Sequence, residues 1–141
     1  MNIQEALKLS KSNTFFHRGS IKAAQEMLLP NEEVLFAMTG NLSIAPVMEN
    51  LSVNTFSTKD KVTGVLTVTT SRIIFCNSVV GAATSKQINI FNIQSVDDKS
   101  NKFGLSTLRI SGLTEMFVVD TNAQNAKMIK NAIAEATQNH L

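Results

Sequence analysis

The chain has 141 residues, 43% of them hydrophobic and 17% charged, with a formal net charge of +2 and neither Trp nor Tyr. That length fits one domain with a core of its own, and the apolar content excludes a disordered chain. The small charge supplies no electrostatic footprint for nucleic acid. The single Cys76 excludes an internal disulfide, which makes a reducing cytoplasm the expected setting. No apolar run reaches the roughly 18 residues of a membrane-spanning helix, and the N-terminal residues do not read as a secretory signal. Solvating surface comes instead from 46 Ser, Thr, Asn and Gln residues.

The elements divide into a helical head, a β-rich body and a closing helix. Ile3, Ala6 and Leu7 recur at helical spacing and predict a helix over about 3–10. A second helix, Arg18 to Leu29, carries Ile21, Ala24, Gln25 and Leu28 on one stripe, and Pro30 stops it by disfavouring α geometry at Leu29. Between them, Phe15-Phe16 reads as a hydrophobic plug against the body. From Val34 the spacing turns to β-formers. Strands are predicted at Val34–Met38, Val62–Thr70, Arg72–Cys76, Ser85–Ile90, Ile93–Asp98, Leu105–Ser111 and Glu115–Asp120, with turn residues between them. Seven short strands at this spacing suggest an antiparallel sandwich or barrel. Asp120, Thr121 or Asn122 caps a last amphipathic helix whose stripe is Ala126, Ile129, Ile133 and Ala136. The stretch 41–61 is long for a loop, and Leu51–Phe56 alternates, so it reads as an added strand or a binding loop.

Three segments carry a family resemblance. Gly64-Val65-Leu66-Thr67-Val68-Thr69-Thr70-Ser71-Arg72-Ile73-Ile74-Phe75 resembles the signature of bacterial pleckstrin-homology (PH) domains: a Gly, an apolar strand, Thr-Asp-x-Arg, two aliphatics and an aromatic. Leu28-Leu29-Pro30-Asn31-Glu32-Glu33-Val34-Leu35 is similar to that family's opening motif, and Ile88–Val96 to a later strand pair. The nearest variant is the YokE-like branch. The resemblance implies an α+β, mainly β fold: a PH-like barrel of about seven antiparallel strands capped by a C-terminal helix. Residues 1–29 then form an N-terminal helical arm and 30–141 the PH-like domain. Thr70 stands where the family has Asp, so any turn cap or Arg partnership made by that Asp falls to a hydroxyl or is absent.

Catalytic chemistry finds little support. His17 and His140 read as solvated side chains, and Cys76 as a small buried hydrophobe with a raised pKa. Asp97 and Asp98, adjacent on a strand, point to opposite faces and cannot readily share a metal ion. No catalytic, cofactor-binding or metal-binding residue is expected, and the eight Phe residues read mainly as core. Arg72 reads first as a pin for its hairpin, bonded to carbonyls or a carboxylate. The resemblance implies a non-catalytic interaction module for protein or peptide partners, working by strand addition or groove docking, with self-association through lightly charged sheet edges as a variant. Phe15, Phe16, Leu51, Val53 and Phe56 are its candidate contact residues. A second reading is an anionic-lipid adaptor using Lys59, Lys61 and Arg72, and a third is a barrel holding a small apolar ligand.

Overall fold

The computed structural model describes residues 1–46, 61–79 and 82–139. The order is α1 (Ile3–Leu9), a 3-10 turn (Phe15–His17), α2 (Arg18–Met27), β1 (Val34–Pro46), β2 (Val62–Thr69), β3 (Arg72–Val79) and β4 (Ala82–Asn89). A second 3-10 turn (Ile90–Asn92) leads to β5 (Ser95–Ser100), β6 (Leu105–Ser111), β7 (Glu115–Asn122) and α3 (Ala123–Gln138). The starts of α1 and α3 follow the expected capping chemistry, whereas α2 follows His17 with no side-chain cap. The Asn2 side chain accepts from the Glu5 amide and that of Asn122 from the Asn125 amide, each satisfying a first-turn N–H.

The strands form one antiparallel sheet in the order β4-β3-β2-β1-β7-β6-β5. It is an open sheet with barrel-like curl. Lys86 on β4 reaches Glu115 at the start of β7 (3.5 Å), although three strands lie between them in the sheet. β1 is the common member of both halves, pairing β2 over Val34–Leu42 and β7 over Asn41–Pro46. It runs well past Gly40, where the sequence suggests an end. Gly40 faces Gly64 across the β1–β2 ladder, and a Cβ on Gly64 would lie 2.2 Å from the Cys76 carbonyl oxygen. Glycine here therefore serves close strand approach, not termination.

Each face of the sheet has its own cover. Phe36, Leu66, Val68, Ile73, Phe117 and Val119 meet Ala126, Ile129 and Ile133 of α3 in the main core. On the opposite face, Val34, Ala37, Val65, Ile74 and Cys76 pack against Ile3, Leu7, Ile21 and Ala24 of the two N-terminal helices. Thr67 and Thr69 are therefore fully buried, and the outer face of β1–β3 is not the neutral polar surface its threonines suggest. The expected plug does not form. Phe15 is 65% and Phe16 80% exposed, their rings in edge-to-face contact with centroids 5.0 Å apart. Of the seven Phe residues described, only Phe36, Phe75 and Phe117 are buried, whereas Phe91 and Phe103 lie on turns in solvent.

Candidate functional site

Arg72 opens β3 immediately after the Thr70-Ser71 turn. Its Nε and Nη2 donate to the two oxygens of Glu32 at 2.8 and 2.9 Å, a forked charge-assisted pair. Nη2 also donates to the Met27 carbonyl (2.6 Å) and Nη1 to Gln87 (2.6 Å), tying α2, β3 and β4 into one joint. Glu32 accepts further bonds from the hydroxyls of Thr69 (2.7 Å) and Ser71 (2.8 Å) and from the Leu29 amide (3.1 Å). Burial pushes the Glu32 carboxyl up, but the Arg72 guanidinium, the two hydroxyls and the amide outweigh it and hold the pKa at about 2. The turn cap expected at position 70 comes one residue earlier: Thr69 Oγ1 accepts from the amides of Ser71 (3.2 Å) and Arg72 (3.1 Å). Glu32 is the residue that sequence reasoning missed. Its signal was its place in the opening motif beside Pro30, and nothing in that spacing says which cation it meets.

This joint turns Arg72 inward, its side chain 13% exposed. Lys61, just before β2, pairs with Asp120 of β7. The eight residues of β2 separate Lys61 from Arg72, about 26 Å at ~3.3 Å per strand residue. The two cations therefore do not converge on one anion. Lys59, like Leu51, Val53, Phe56 and His140, lies outside the described residues.

Groups suited to catalysis are scattered. Burial pushes the Cys76 thiol up to about 11, against a smaller opposing pull from Arg72, and its sulfur sits 3.4 Å from Met27 Sδ. Asp97 pairs with Arg109 across the strands at 3.6 Å and Asp98 with Lys130 of α3 at 3.0 Å, on opposite faces of β5 as the alternation requires. Among the described residues no group of three or more His, Cys, Asp or Glu is placed to hold a metal.

What the fold does present is two unlike sheet edges. β5 carries Asp97, Asp98 and Lys99 among six residues, charges of the kind that discourage strand pairing. β4, Ala-Ala-Thr-Ser-Lys-Gln-Ile-Asn, carries one charge in eight. Residues 83–87 are exposed, and no described strand pairs with the far side of β4. Beside it, a cavity of about 250 Å³ is lined by Leu42, Ile44, Val62 and Phe75, with Thr84 and Lys86 of β4 at its rim. An open edge and an apolar recess next to it are the two parts of a strand-addition site: the backbone supplies hydrogen bonds and the recess selects a side chain.

The fold, the Arg72 hairpin and the C-terminal helix agree with a match to the family of bacterial PH domains over residues 28–135. The chain belongs to that family. Among solved structures, the Vps36 N-terminal PH domain is similar at a TM-score of 0.55 and 15% identity, covering 80% of this chain and 84% of that one; this likeness concerns the fold alone. No curated protein matches. Within this bacterial PH domain, the Glu32–Arg72 joint and the β4 edge both fall inside the matched region, whereas α1, α2 and the Phe15-Phe16 turn precede it.

Proposed function

We propose that this bacterial PH domain is a non-catalytic interaction module that takes an extended peptide along β4. The observation that carries the reading is the pairing of a lightly charged edge with the apolar recess between β1, β2, β3 and β4. A peptide strand laid against β4 continues the ladder, and one apolar side chain on its inner face enters the recess beside Phe75 and Ile44. Lys86 at the rim already pairs with Glu115, so the recess selects the apolar side chain and not a charge. A second copy pairing β4 to β4 is the homo-oligomeric form of the same contact, favoured by the scarcity of charge on the edge. We assign the chain to the YokE-like branch on its three sequence motifs, with residues 1–29 as an arm on a PH-like unit spanning 30–141. A cytoplasmic setting fits the single reduced thiol.

Selection from a library of extended peptides, followed by amide exchange of the complex, tests this. Bound peptide should protect amides within 82–89, and Ala83→Lys/Ser85→Lys should abolish binding. Protection elsewhere with β4 unchanged would refute the reading. Light scattering of the same variant reports the self-associated form, which should fall to monomer mass.

A further inference from the structure

Between the two helices of the arm lies an open cleft of about 360 Å³. α2 lines it with Arg18, Lys22 and Gln25, α1 with Gln4 and the 3-10 turn with Phe15, while the buried Ile21 closes its floor. The three polar residues of α2 stand at i, i+4 and i+7 and therefore share one helix face. The volume falls at the lower end of small-molecule sites, which run from roughly 300 to 1,000 Å³. All of these residues precede the stretch 28–135, so the cleft lies outside the part of the chain that the family shares.

The charge of the cleft is of one sign. No Asp or Glu occurs from residue 6 to residue 25, and among the described residues neither Arg18 nor Lys22 forms an ion pair. Lys61, Lys86 and Lys130, by contrast, each have a carboxylate. Two unpaired cations one helical turn apart suit a phosphate, the Arg fork giving parallel donors and the Lys a point charge. Phe15 sets an aromatic ring beside them: it is 65% exposed, with the Arg18 guanidinium 5.2 Å from its centroid. A ring so placed adds nothing to the core, and a flat base stacked on it would take it out of water. Gln4 and Gln25 bring amide groups, each with a donor and an acceptor, which is what the edge of a base pairs with.

We propose that the cleft between α1 and α2 binds a nucleoside phosphate, its phosphate held by Arg18 and Lys22 and its base laid on Phe15 with an edge toward Gln4 and Gln25. The combination selects the class. Cations alone would take any small anion, whereas a ring and two amides beside them favour an anion that carries a base. The phosphate of a plain sugar or of a lipid headgroup meets the same two cations but offers nothing to Phe15. The cleft is separate from β4 and does not depend on the peptide-binding reading.

Isothermal titration calorimetry of the full chain with AMP, GMP, CMP and UMP tests it, beside ribose 5-phosphate and the four nucleosides. At least one nucleotide should bind with a Kd below about 1 mM, and ribose 5-phosphate and the matching nucleoside should each bind about tenfold or more weakly. Arg18→Gln/Lys22→Gln should weaken that nucleotide about tenfold or more. Phe15→Ser should weaken it about tenfold, to the level of ribose 5-phosphate. Both variants alter exposed side chains, and circular dichroism checks that they fold. Ala83→Lys/Ser85→Lys should leave nucleotide binding unchanged, which separates the cleft from the β4 edge. Absence of binding by all four nucleotides at about 1 mM would overturn the proposal. Equal affinity for ribose 5-phosphate, or binding that survives both cleft variants, would overturn it as well.

Discussion

Replacing Arg72 by Met tests whether the Glu32 joint holds the N-terminal cover on the sheet. The substitution keeps most of the apolar stem but leaves the Glu32 side chain, 1% exposed, without its counter-ion. Removing one partner of a buried pair costs about 3–5 kcal/mol. Because the joint lies at the rim and Thr69, Ser71 and Leu29 still donate to Glu32, about 3 kcal/mol is expected. At about 2.1 cal/mol/K per residue of unfolding entropy, that lowers the melting temperature by about 10 °C. Far-UV circular dichroism is the assay, since the chain has no Trp or Tyr to report by fluorescence. The pH profile gives a second readout. The folded Glu32 carboxyl titrates at about 2 against an ordinary 4.5, so its contribution is complete above pH 4.5 and is lost as pH falls toward 2. The full shift corresponds to about 3 kcal/mol, and discounting for solvent screening leaves about 1–2 kcal/mol. Arg72→Met should flatten the acid limb across that window. A loss below 1 kcal/mol with an unchanged acid limb would refute the role assigned to the joint. A Glu32→Gln/Arg72→Met double variant should be less damaged than the sum of its singles.

Three further outcomes follow from the packing. Gly64→Ala drives a methyl into the Cys76 carbonyl and should cost about 3 kcal/mol or more in urea unfolding; a neutral result would contradict the strand approach described. Thr67→Val removes a fully buried hydroxyl that has no hydrogen-bond partner among the described residues and should stabilise by about 1 kcal/mol, read as a higher urea midpoint at constant slope. Cys76, with its thiol pushed up to about 11 and buried beneath α2, should resist a disulfide reagent at pH 8 until the chain unfolds; labelling at the rate of a free thiol would refute the burial.

Much of the secondary structure was readable because the apolar spacing is local. β6 begins and ends where its alternation does, and the β2–β3 hairpin turns at Thr70-Ser71 as its Thr and Ser residues indicate. β1 was harder, since Gly40-Asn41 has the composition of a turn and becomes strand only because β7 arrives to pair with it. β4 begins at Ala82 among small polar residues whose pattern carries no buried face. The double cover on β2 was hidden for a related reason: threonines beneath α1 and α2 look in sequence like threonines facing water. Of the candidate site, Arg72's role as a pin was legible from its position after the turn. Its carboxylate partner, 40 residues away, was not. The exposed Phe residues were misread as core because composition alone does not distinguish a ring in a strand from one on a turn.

The shared strand β1 also constrains when this molecule becomes complete. Its last residues wait for partners in β7 that come about 70–80 residues later in the chain. At a synthesis rate of roughly 5–20 residues per second, that interval lasts about 4–15 s. Throughout it, β1, β2 and β3 can pair with one another, but the far side of β1 from Asn41 to Pro46 has only another nascent or finished chain to bind. The vulnerable edge of the growing polypeptide is therefore not β4 but the seam at the centre of the final sheet, and it closes when Glu115 to Asp120 emerge.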